Sequence, residues 1–165
     1  MTETALLLIN SCAVLESLLI TSEWQVEQAS SLAVAEQKLQ EKTYPLVLVA
    51  IEPDSYVRPH CHLDPNKSET IIPLRGRLGA LVFDGEGKVL EARVIAPEAG
   101  SFGFHVPAGV FHSIVALESG TVFIEIKAGP YAVPVAAEWG QWAPAEGEPG
   151  VASYLAEMKG AFTAA

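Results

Sequence analysis

The sequence is poor in cysteine and in basic residues, and both shortages exclude functions. It contains two cysteines, Cys12 and Cys61, which are too few for a disulfide framework, so a reducing compartment would keep both as thiols. Ten Lys and Arg stand against 20 Asp and Glu, and the formal charge of -10 has the wrong sign for neutralising phosphates. We therefore expect neither nucleic acid nor a membrane among the partners.

Long hydrophobic runs and a basic leader are also lacking. The longest apolar runs, at 5–9 and 46–51, fall far short of the ~20 residues that a membrane-spanning helix needs. The start of the chain carries Glu3 and its first cation is Lys38, whereas a secretory signal begins with basic residues. The sequence thus predicts a cytoplasmic protein. Half of the 165 residues are apolar and 18% are charged, so the chain can fold around one core.

The local patterns divide the chain into three parts. Residues 1–44 alternate short apolar runs with helical spacing, which predicts an α/β extension with helices near 11–20 and 30–44. Residues 45–138 have the short β-branched runs and Gly and Pro punctuation of an all-β barrel. Strands are predicted there at 46–52, 56–62, 69–74, 77–83, 88–95, 102–106, 111–117 and 121–127. Residues 139–165 form a Trp- and Pro-rich tail that ends in a helix over about 150–162.

All four histidines lie in the β-rich part, and three of them have the spacing of metal ligands. Alternate side chains of a strand share a face, so His60 and His62 project to the same side. Glu69 follows on the adjacent predicted strand, and His112 lies just beyond a tight turn at 107–109. Three imidazoles and a carboxylate suit one divalent ion, Fe, Mn, Ni, Co or Zn, and leave positions open for water or substrate. Hydrogen-bonded burial is the alternative for any single histidine, but three at these spacings favour a metal site.

The same residues resemble the two motifs of the cupin superfamily. His60-Cys61-His62, followed by Glu69 and Gly76, is similar to the first motif, and the segment from Pro107 to His112 is similar to the second. The chain departs from the usual pattern in a longer gap before Glu69, which the turn at 64–67 can absorb. The resemblance implies a single jelly-roll β-barrel, flanked here by the N-terminal extension and the C-terminal helix.

Three further segments resemble the WbuC family of cupin-fold metalloproteins. They are residues 56–60 (Tyr-Val-Arg-Pro-His), 127–131 (Lys-Ala-Gly-Pro-Tyr) and 142–146 (Trp-Ala-Pro-Ala-Glu). The resemblance covers roughly residues 45–147 and implies a homodimer in which each chain holds one metal ion through His60, His62, Glu69 and His112. Some family members are encoded among genes for surface polysaccharide synthesis. The usual basic N-terminal segment of the family is absent, because residues 1–45 contain neither Arg nor His.

Four other side chains are candidate catalytic or binding groups. Tyr56 and Arg58 have the same parity as the first two histidines, so a regular strand would point both into the cavity below the metal. Arg58 could there hold a substrate carboxylate or phosphate, the alternative being a structural arginine paired with an acid. Glu125 and Lys127 alternate with apolar residues on the last strand. If that face points inward, Glu125 is a candidate general base and Lys127 an anion anchor; if it points outward, both are solvated.

Several conspicuous residues are expected outside the site. His105 alternates with apolar residues that should pack inward, so it is expected to point away. Cys61 stands between two ligands and should face the opposite side of the strand. Trp139 and Trp142 are expected to seal a barrel end or an interface rather than to stack on a sugar ring.

Two classes of function remain open. The first is a metalloenzyme acting on a small polar metabolite, for which the family resemblance implies a sugar or nucleotide-sugar and leaves isomerase, epimerase and dioxygenase chemistry open. The second is a noncatalytic small-molecule-binding or sensing module. Inward-facing Glu125 and Arg58 would favour the enzyme. A faint similarity of the opening segment to a response-regulator receiver domain is disfavoured, because Asn10 and Ser11 stand where acidic ligands are expected.

Overall fold

The described chain is built mainly of strands. The computed structural model describes residues 4–9, 25–29, 47–128 and 132–163, so the helices predicted near 11–20 and 30–44 lie outside the described residues. The strands are β1 (Thr4–Ile9), β2 (Gln25–Ala29), β3 (Val47–Ile51), β4 (Glu69–Arg75), β5 (Leu78–Phe83), β6 (Val89–Ile95), β7 (Phe104–Val106), β8 (Phe111–Ala116) and β9 (Thr121–Lys127). One α-helix, α1 (Val151–Gly160), and two short 3₁₀ helices, Pro97–Ala99 and Ala136–Glu138, complete the described elements. None of the described helices is long and apolar enough to cross a membrane.

The strands form two sheets. The larger has the order β2-β1-β3-β9-β4-β7 and the smaller has the order β6-β5-β8. β1 pairs in parallel with β2 and β3, and the other described pairings are antiparallel. The predicted fold class is confirmed: the chain is mainly β, of the jelly-roll class, with one C-terminal helix. β1 and β2 extend the larger sheet beyond β3.

The hairpin between β5 and β6 is the clearest case of local sequence setting the chain direction. Asp84 Oδ1 accepts hydrogen bonds of 2.9 Å from the backbone N–H groups of Glu86 and Lys88. Gly87 has φ of +91°, a left-handed conformation that a side chain would strain, and a Cβ there would collide with the Trp142 ring. The chain therefore reverses between Phe83 and Val89, which joins the strands predicted at 77–83 and 88–95.

The main core lies between the two sheets. Alternate residues of the strands of both sheets meet there, as the period of two requires. Ile71 and Phe123 from the large sheet are each 2% exposed, and Leu78 and Ile95 from the small sheet are completely buried. The remaining buried members of this cluster are Ile51, Ala80, Ile114 and Ala116.

A second cluster covers the outer face of the small sheet. Leu155 and Met158 on α1 pack there against Leu81, Phe83 and Val115 of β5 and β8. α1 confirms the helix predicted at about 150–162, with its apolar stripe turned to the sheet. The strand at this contact has no side chain at Gly79, and a Cβ there would lie 2.5 Å from the Phe162 ring.

The strand predicted at 56–62 is wrong. His60 forms isolated bridges to His112 on one side and to Trp139 on the other. Backbone hydrogen bonds alternate between these neighbours, since His60 N–H donates to the His112 carbonyl at 3.0 Å and Cys61 N–H donates to the Glu138 carbonyl at 2.8 Å. Pro59 has no N–H to continue a ladder, so the segment is extended without forming a regular strand.

Candidate metal centre

The structure brings together the four residues that the motifs single out. His60, His62, Glu69 and His112 each offer one ligand atom, and these atoms all lie within 4.8 Å of one another. His62, Glu69 and His112 are 8%, 3% and 2% exposed, and His60 is partly buried. The group could therefore hold a single metal ion.

Backbone pairing explains why these side chains converge. His112 lies on β8 and exchanges two backbone hydrogen bonds, of 3.0 and 2.8 Å, with His60. The His62 carbonyl accepts a hydrogen bond of 2.7 Å from Gly109 N–H, which ties the first motif to the turn before β8. Glu69 is the first residue of β4, directly opposite Lys127 of β9. The spacing in the sequence is thus converted into one cluster by three separate pairings.

Two of the imidazoles are oriented through their second ring nitrogen. His60 Nδ1 lies 2.9 Å from the Arg58 carbonyl, and His112 Nδ1 lies 2.9 Å from the Val110 carbonyl. Because a carbonyl oxygen can only accept, each Nδ1 carries the proton and donates it. The Nε2 atom of each ring then presents a lone pair, which is the form that ligates metals.

His112 Nε2 supplies the test of whether the residues fit a metal. This atom is buried and has no hydrogen-bond partner among the described residues. A buried acceptor without a partner costs about 1–3 kcal/mol, so native proteins rarely leave one. A divalent ion would satisfy it, and a donor set of three nitrogens and one carboxylate is one that several divalent ions accept. The four residues therefore fit a divalent metal ion.

The protonation states of two ligands also suit a cation. Burial opposes ionisation of Glu69, but the neighbouring His112 and His62 imidazoles and the charge of Lys127 together hold its pKa well below the usual value. Glu69 Oε2 lies 3.0 Å from His62 Nε2 and 3.8 Å from His112 Nε2. Burial, with the neighbouring His112, lowers the pKa of His60 to about 3. Glu69 is thus a carboxylate and His60 a neutral imidazole near pH 7.

The charged face of β9 points inward, beside the ligands. Lys127 Nζ lies 3.2 Å from Glu69 Oε2 and 2.7 Å from Glu125 Oε1, and the apolar Ile126 between them is 41% exposed on the other face. Burial and the carboxylate of Glu69 raise the pKa of Glu125, against the opposing effect of Lys127. Of the two orientations considered for this face, the structure has the one that brings Glu125 and Lys127 to the candidate metal ligands.

Tyr56 lies elsewhere. Its hydroxyl donates to the Pro144 carbonyl at 2.9 Å, and its ring packs edge-on to Tyr154 at 6.3 Å in the cluster beneath α1. Burial, together with Tyr154, raises the pKa of Tyr56 to about 12. The expectation that Tyr56 shares the face of His60 and His62 is wrong, because it assumed a regular strand through Pro59.

Arg58 likewise turns away from the ligands, towards the tail of the chain. Its guanidinium donates to the Gly140 carbonyl at 3.2 Å and lies over the Trp139 ring, 5.5 Å from its centroid. Trp139 in turn packs against the His60 ring at 5.9 Å. Arg58 therefore reaches the ligand group through Trp139, a contact that the sequence did not predict.

Three expected exclusions agree with the structure. Cys61 is 1% exposed and is not among the residues that could hold the metal. His105 is exposed and its Nδ1 pairs with the Thr70 hydroxyl at 2.9 Å. Trp142 lies outside the ligand group, where it packs against Phe111 and Phe83 at centroid distances of 4.9 and 6.2 Å in the cluster beneath α1.

Fold and site together define a jelly-roll protein with a group of side chains able to hold one divalent ion. In comparisons with known proteins, a domain of unknown function (DUF6016) matches residues 35–95. No curated protein matches the chain.

Solved structures with a similar fold are cupin-fold proteins at low identity. ChmJ, a 3'-monoepimerase from Streptomyces bikiniensis in complex with dTDP-quinovose, is 14% identical over 53% of this chain and 46% of its own, with a TM-score of 0.46. WlaRB, a TDP-quinovose 3,4-ketoisomerase from Campylobacter jejuni, is 13% identical over 59% of this chain and 69% of its own, with a TM-score of 0.46. Oxalate decarboxylase from Bacillus subtilis, described with Mn(II) centres, is 21% identical over 53% of this chain and 22% of its own, with a TM-score of 0.41. The chain thus spans less than half the length of the epimerase and about a fifth of the decarboxylase.

Proposed function

We propose that the protein is a mononuclear metalloenzyme that catalyses proton transfer, of the isomerase or epimerase type, on a small polar metabolite. The observation that carries the proposal is the inward position of Glu125. Its side chain is 23% exposed and lies 2.7 Å from Lys127, which contacts the candidate ligand Glu69. A carboxylate placed beside a metal site can act as the general base of a proton transfer, a role for which dioxygenation has no need.

The proposed metal ligands are His60, His62, Glu69 and His112. A divalent ion held there would supply Lewis acidity to a carbonyl or hydroxyl oxygen of the substrate. Support comes from the unpartnered Nε2 of His112 and from the carboxylate state of Glu69.

Glu125 is the proposed general base. It would take a proton from the carbon next to the substrate carbonyl. For isomerisation it would return that proton to the former carbonyl carbon, while a proton passes through solvent from the hydroxyl oxygen to the carbonyl oxygen. For epimerisation a proton from water would reach the opposite face of the same carbon, and Glu125 would release its own proton to water. The raised pKa of Glu125 suits this task, because a base works best when its pKa is close to the working pH. Lys127 would hold the Glu125 carboxylate in place. For Arg58 and Tyr56 we propose positioning rather than catalytic roles, Arg58 by supporting Trp139 against His60.

The wider setting is also a proposal. The resemblance to the WbuC family favours a sugar or nucleotide-sugar of surface polysaccharide metabolism as the substrate. It also favours a homodimer, and the composition favours the cytoplasm. We propose residues 45–138 as the catalytic unit, with 1–44 and 139–165 as its additions. A noncatalytic binding or sensing module is the alternative that the experiment below must exclude.

The first measurement is elemental analysis of protein purified without an affinity tag. Wild type is compared with a His60→Ala/His112→Ala double variant, and near-stoichiometric metal is expected in the wild type alone. The metal found is then restored at saturation, and a panel of aldoses, ketoses and nucleotide-sugars is incubated with the protein in D2O. Proton NMR is expected to show deuterium entering at the carbon beside the carbonyl of at least one compound.

The matched variants make the outcome decisive. Glu125→Gln under saturating metal should abolish the exchange, and Glu86→Gln, an exposed position on the β5–β6 turn, should not change it. Oxygen uptake without proton exchange would replace the proposal by dioxygenase chemistry. Bound metal with neither activity would favour the binding module, and metal in neither protein, with folding intact, would refute the metal site.

A further inference from the structure

We propose that Lys127 is a tethered cation that competes with the metal for its ligands and, once the metal is bound, anchors an anionic oxygen group of the substrate. The inference rests on the proposed function, because it requires the metal site. It adds an order of events and a chemical class of ligand.

The contacts of the Lys127 ammonium support the first part of the proposal, the competition with the metal. Nζ lies 3.2 Å from Glu69 Oε2 and 3.4 Å from His62 Nε2, and its third partner is Glu125 Oε1 at 2.7 Å. An ammonium has three N–H donors and no lone pair. One of the three is therefore directed at Glu69 Oε2, an atom that a metal bound by this group would use, and the ammonium charge lies 3.4 Å from a second such atom, His62 Nε2.

A divalent ion and this ammonium cannot both occupy the same partners. Each is positive, and at a few ångströms in a partly buried site their repulsion is strong. Lys127 has an alternative partner, because its flexible side chain already reaches Glu125, the nearest of the three groups that its ammonium contacts. Binding of the metal should therefore leave Nζ paired with Glu125 and free the donor that faces Glu69.

The charge balance gives the class of ligand. Glu69 and Glu125 contribute two negative charges when ionised and Lys127 one positive charge, so the group carries a net charge of about minus one without metal. A divalent ion changes this to about plus one. The residues paired with Glu125 on the two neighbouring strands, Val47 and Ile71, are apolar and add no charge to this balance. The loaded site thus favours a metabolite with an anionic oxygen group, a carboxylate or a phosphate, that accepts from Lys127.

Metal affinity tests the competition directly. Dissociation constants for Co(II) are measured by titration against a chromophoric chelator. Lys127→Met should bind Co(II) at least about tenfold more tightly than wild type, because the competing charge is gone. Glu125→Gln should bind it at least about tenfold more weakly, because Lys127 then keeps Glu69 as its carboxylate partner. Lys88→Met removes an exposed lysine on the hairpin and should leave the affinity unchanged.

Anion binding tests the second half. Glycolate, methyl phosphate and the neutral glycolamide are titrated into Co(II)-loaded protein while the visible absorption of the cobalt is followed. At least one anionic probe should change the spectrum of the wild type, with affinity about tenfold lower in Lys127→Met, whereas glycolamide should bind equally weakly to both. Preference for glycolate or for methyl phosphate distinguishes a carboxylate from a phosphate.

The possible failures are distinguishable. No cobalt binding by wild type would overturn the metal site and the inference with it. If wild type binds cobalt but the dissociation constants of Lys127→Met and Glu125→Gln are unchanged, or change in the same direction, the role of Lys127 is overturned and the metal site stands. Equal anion affinity in wild type and Lys127→Met would overturn the anchor. If Lys127→Met fails to fold, an unchanged affinity in Glu125→Gln is sufficient to refute the competition.

Discussion

Replacing His112 by leucine should leave the metal-free protein almost as stable as wild type. The substitution removes the hydrogen bond from Nδ1 to the Val110 carbonyl, worth about 1 kcal/mol. It also removes a buried Nε2 that has no partner, and this relieves about 1–3 kcal/mol. Leucine fills a site that is 2% exposed with apolar surface of similar size. The net change in the free energy of unfolding should therefore lie within about 2 kcal/mol of zero.

The same substitution should remove the stabilisation that metal provides. An ion that binds the folded state alone stabilises it by about 2.7 kcal/mol at a hundred times its dissociation constant, and by about 4.1 kcal/mol at a thousand times. Wild type should gain this amount. The variant has lost one of four ligands, so it should gain little at the same concentration.

Urea unfolding followed by fluorescence measures both effects. Each protein is unfolded once with a chelator and once with Co(II) or Zn(II), and the free energies are compared. A loss above about 3 kcal/mol in the chelated variant would show that His112 is a structural histidine, and the reasoning from its unpartnered Nε2 would be wrong. Equal stabilisation of both proteins by metal would remove His112 from the ligand set.

Three other changes test the fold and its titrating groups. In metal-free protein the free energy of unfolding should fall as the pH drops below about 6.5, by up to about 1.4 kcal/mol per pH unit. The reason is that His60 in the unfolded chain takes up a proton there, whereas the folded state binds it only near pH 3. A His60→Leu variant should show a flatter dependence of the urea midpoint on pH. Gly79→Ala should cost about 1–3 kcal/mol in thermal unfolding, since its Cβ meets the ring packed from the C-terminal end, and Gly85→Ala, in open space, should change stability by less than about 0.5 kcal/mol. Leu155→Ala, at a position 7% exposed, should cost about 2–4 kcal/mol, and equal losses at Leu90, which is 62% exposed, would contradict the assignment of the α1 contact.

Local periodicity was sufficient for most of the strands. Alternation of side chains and glycine-marked turns predicted strands at 46–52 and 121–127, and the structure has Val47–Ile51 and Thr121–Lys127. The pattern failed at 56–62, where the backbone bonds to β8 on one side and to the tail on the other. That arrangement depends on residues far along the chain, and no local pattern encodes it.

The residues of the candidate site were also predicted only in part. The motifs gave His60, His62, Glu69 and His112 directly, since their spacing reflects local turns and strands. The parity argument failed for Tyr56, because one proline interrupts the alternation on which it depended. For β9 the strand is regular, but its sequence does not say which face points inward. The pairing of β4 with β9 decides that, and it brings the β9 charges to the ligand group.

The inward face of β9 is hard to explain by stability alone. Ile126 is 41% exposed while Glu125 and Lys127, on the other face, are 23% and 19% exposed at the side chain, the reverse of what burial of apolar surface would select. Removing charges from water costs several kcal/mol each, and replacing buried ion pairs by apolar residues is often neutral or stabilising. Lys127 meets this cost by pairing with two carboxylates, one of which is a candidate metal ligand. A folding argument gives no reason to place a second carboxylate beside Glu69, whereas a site that binds a cation and moves a proton can use one carboxylate for each task.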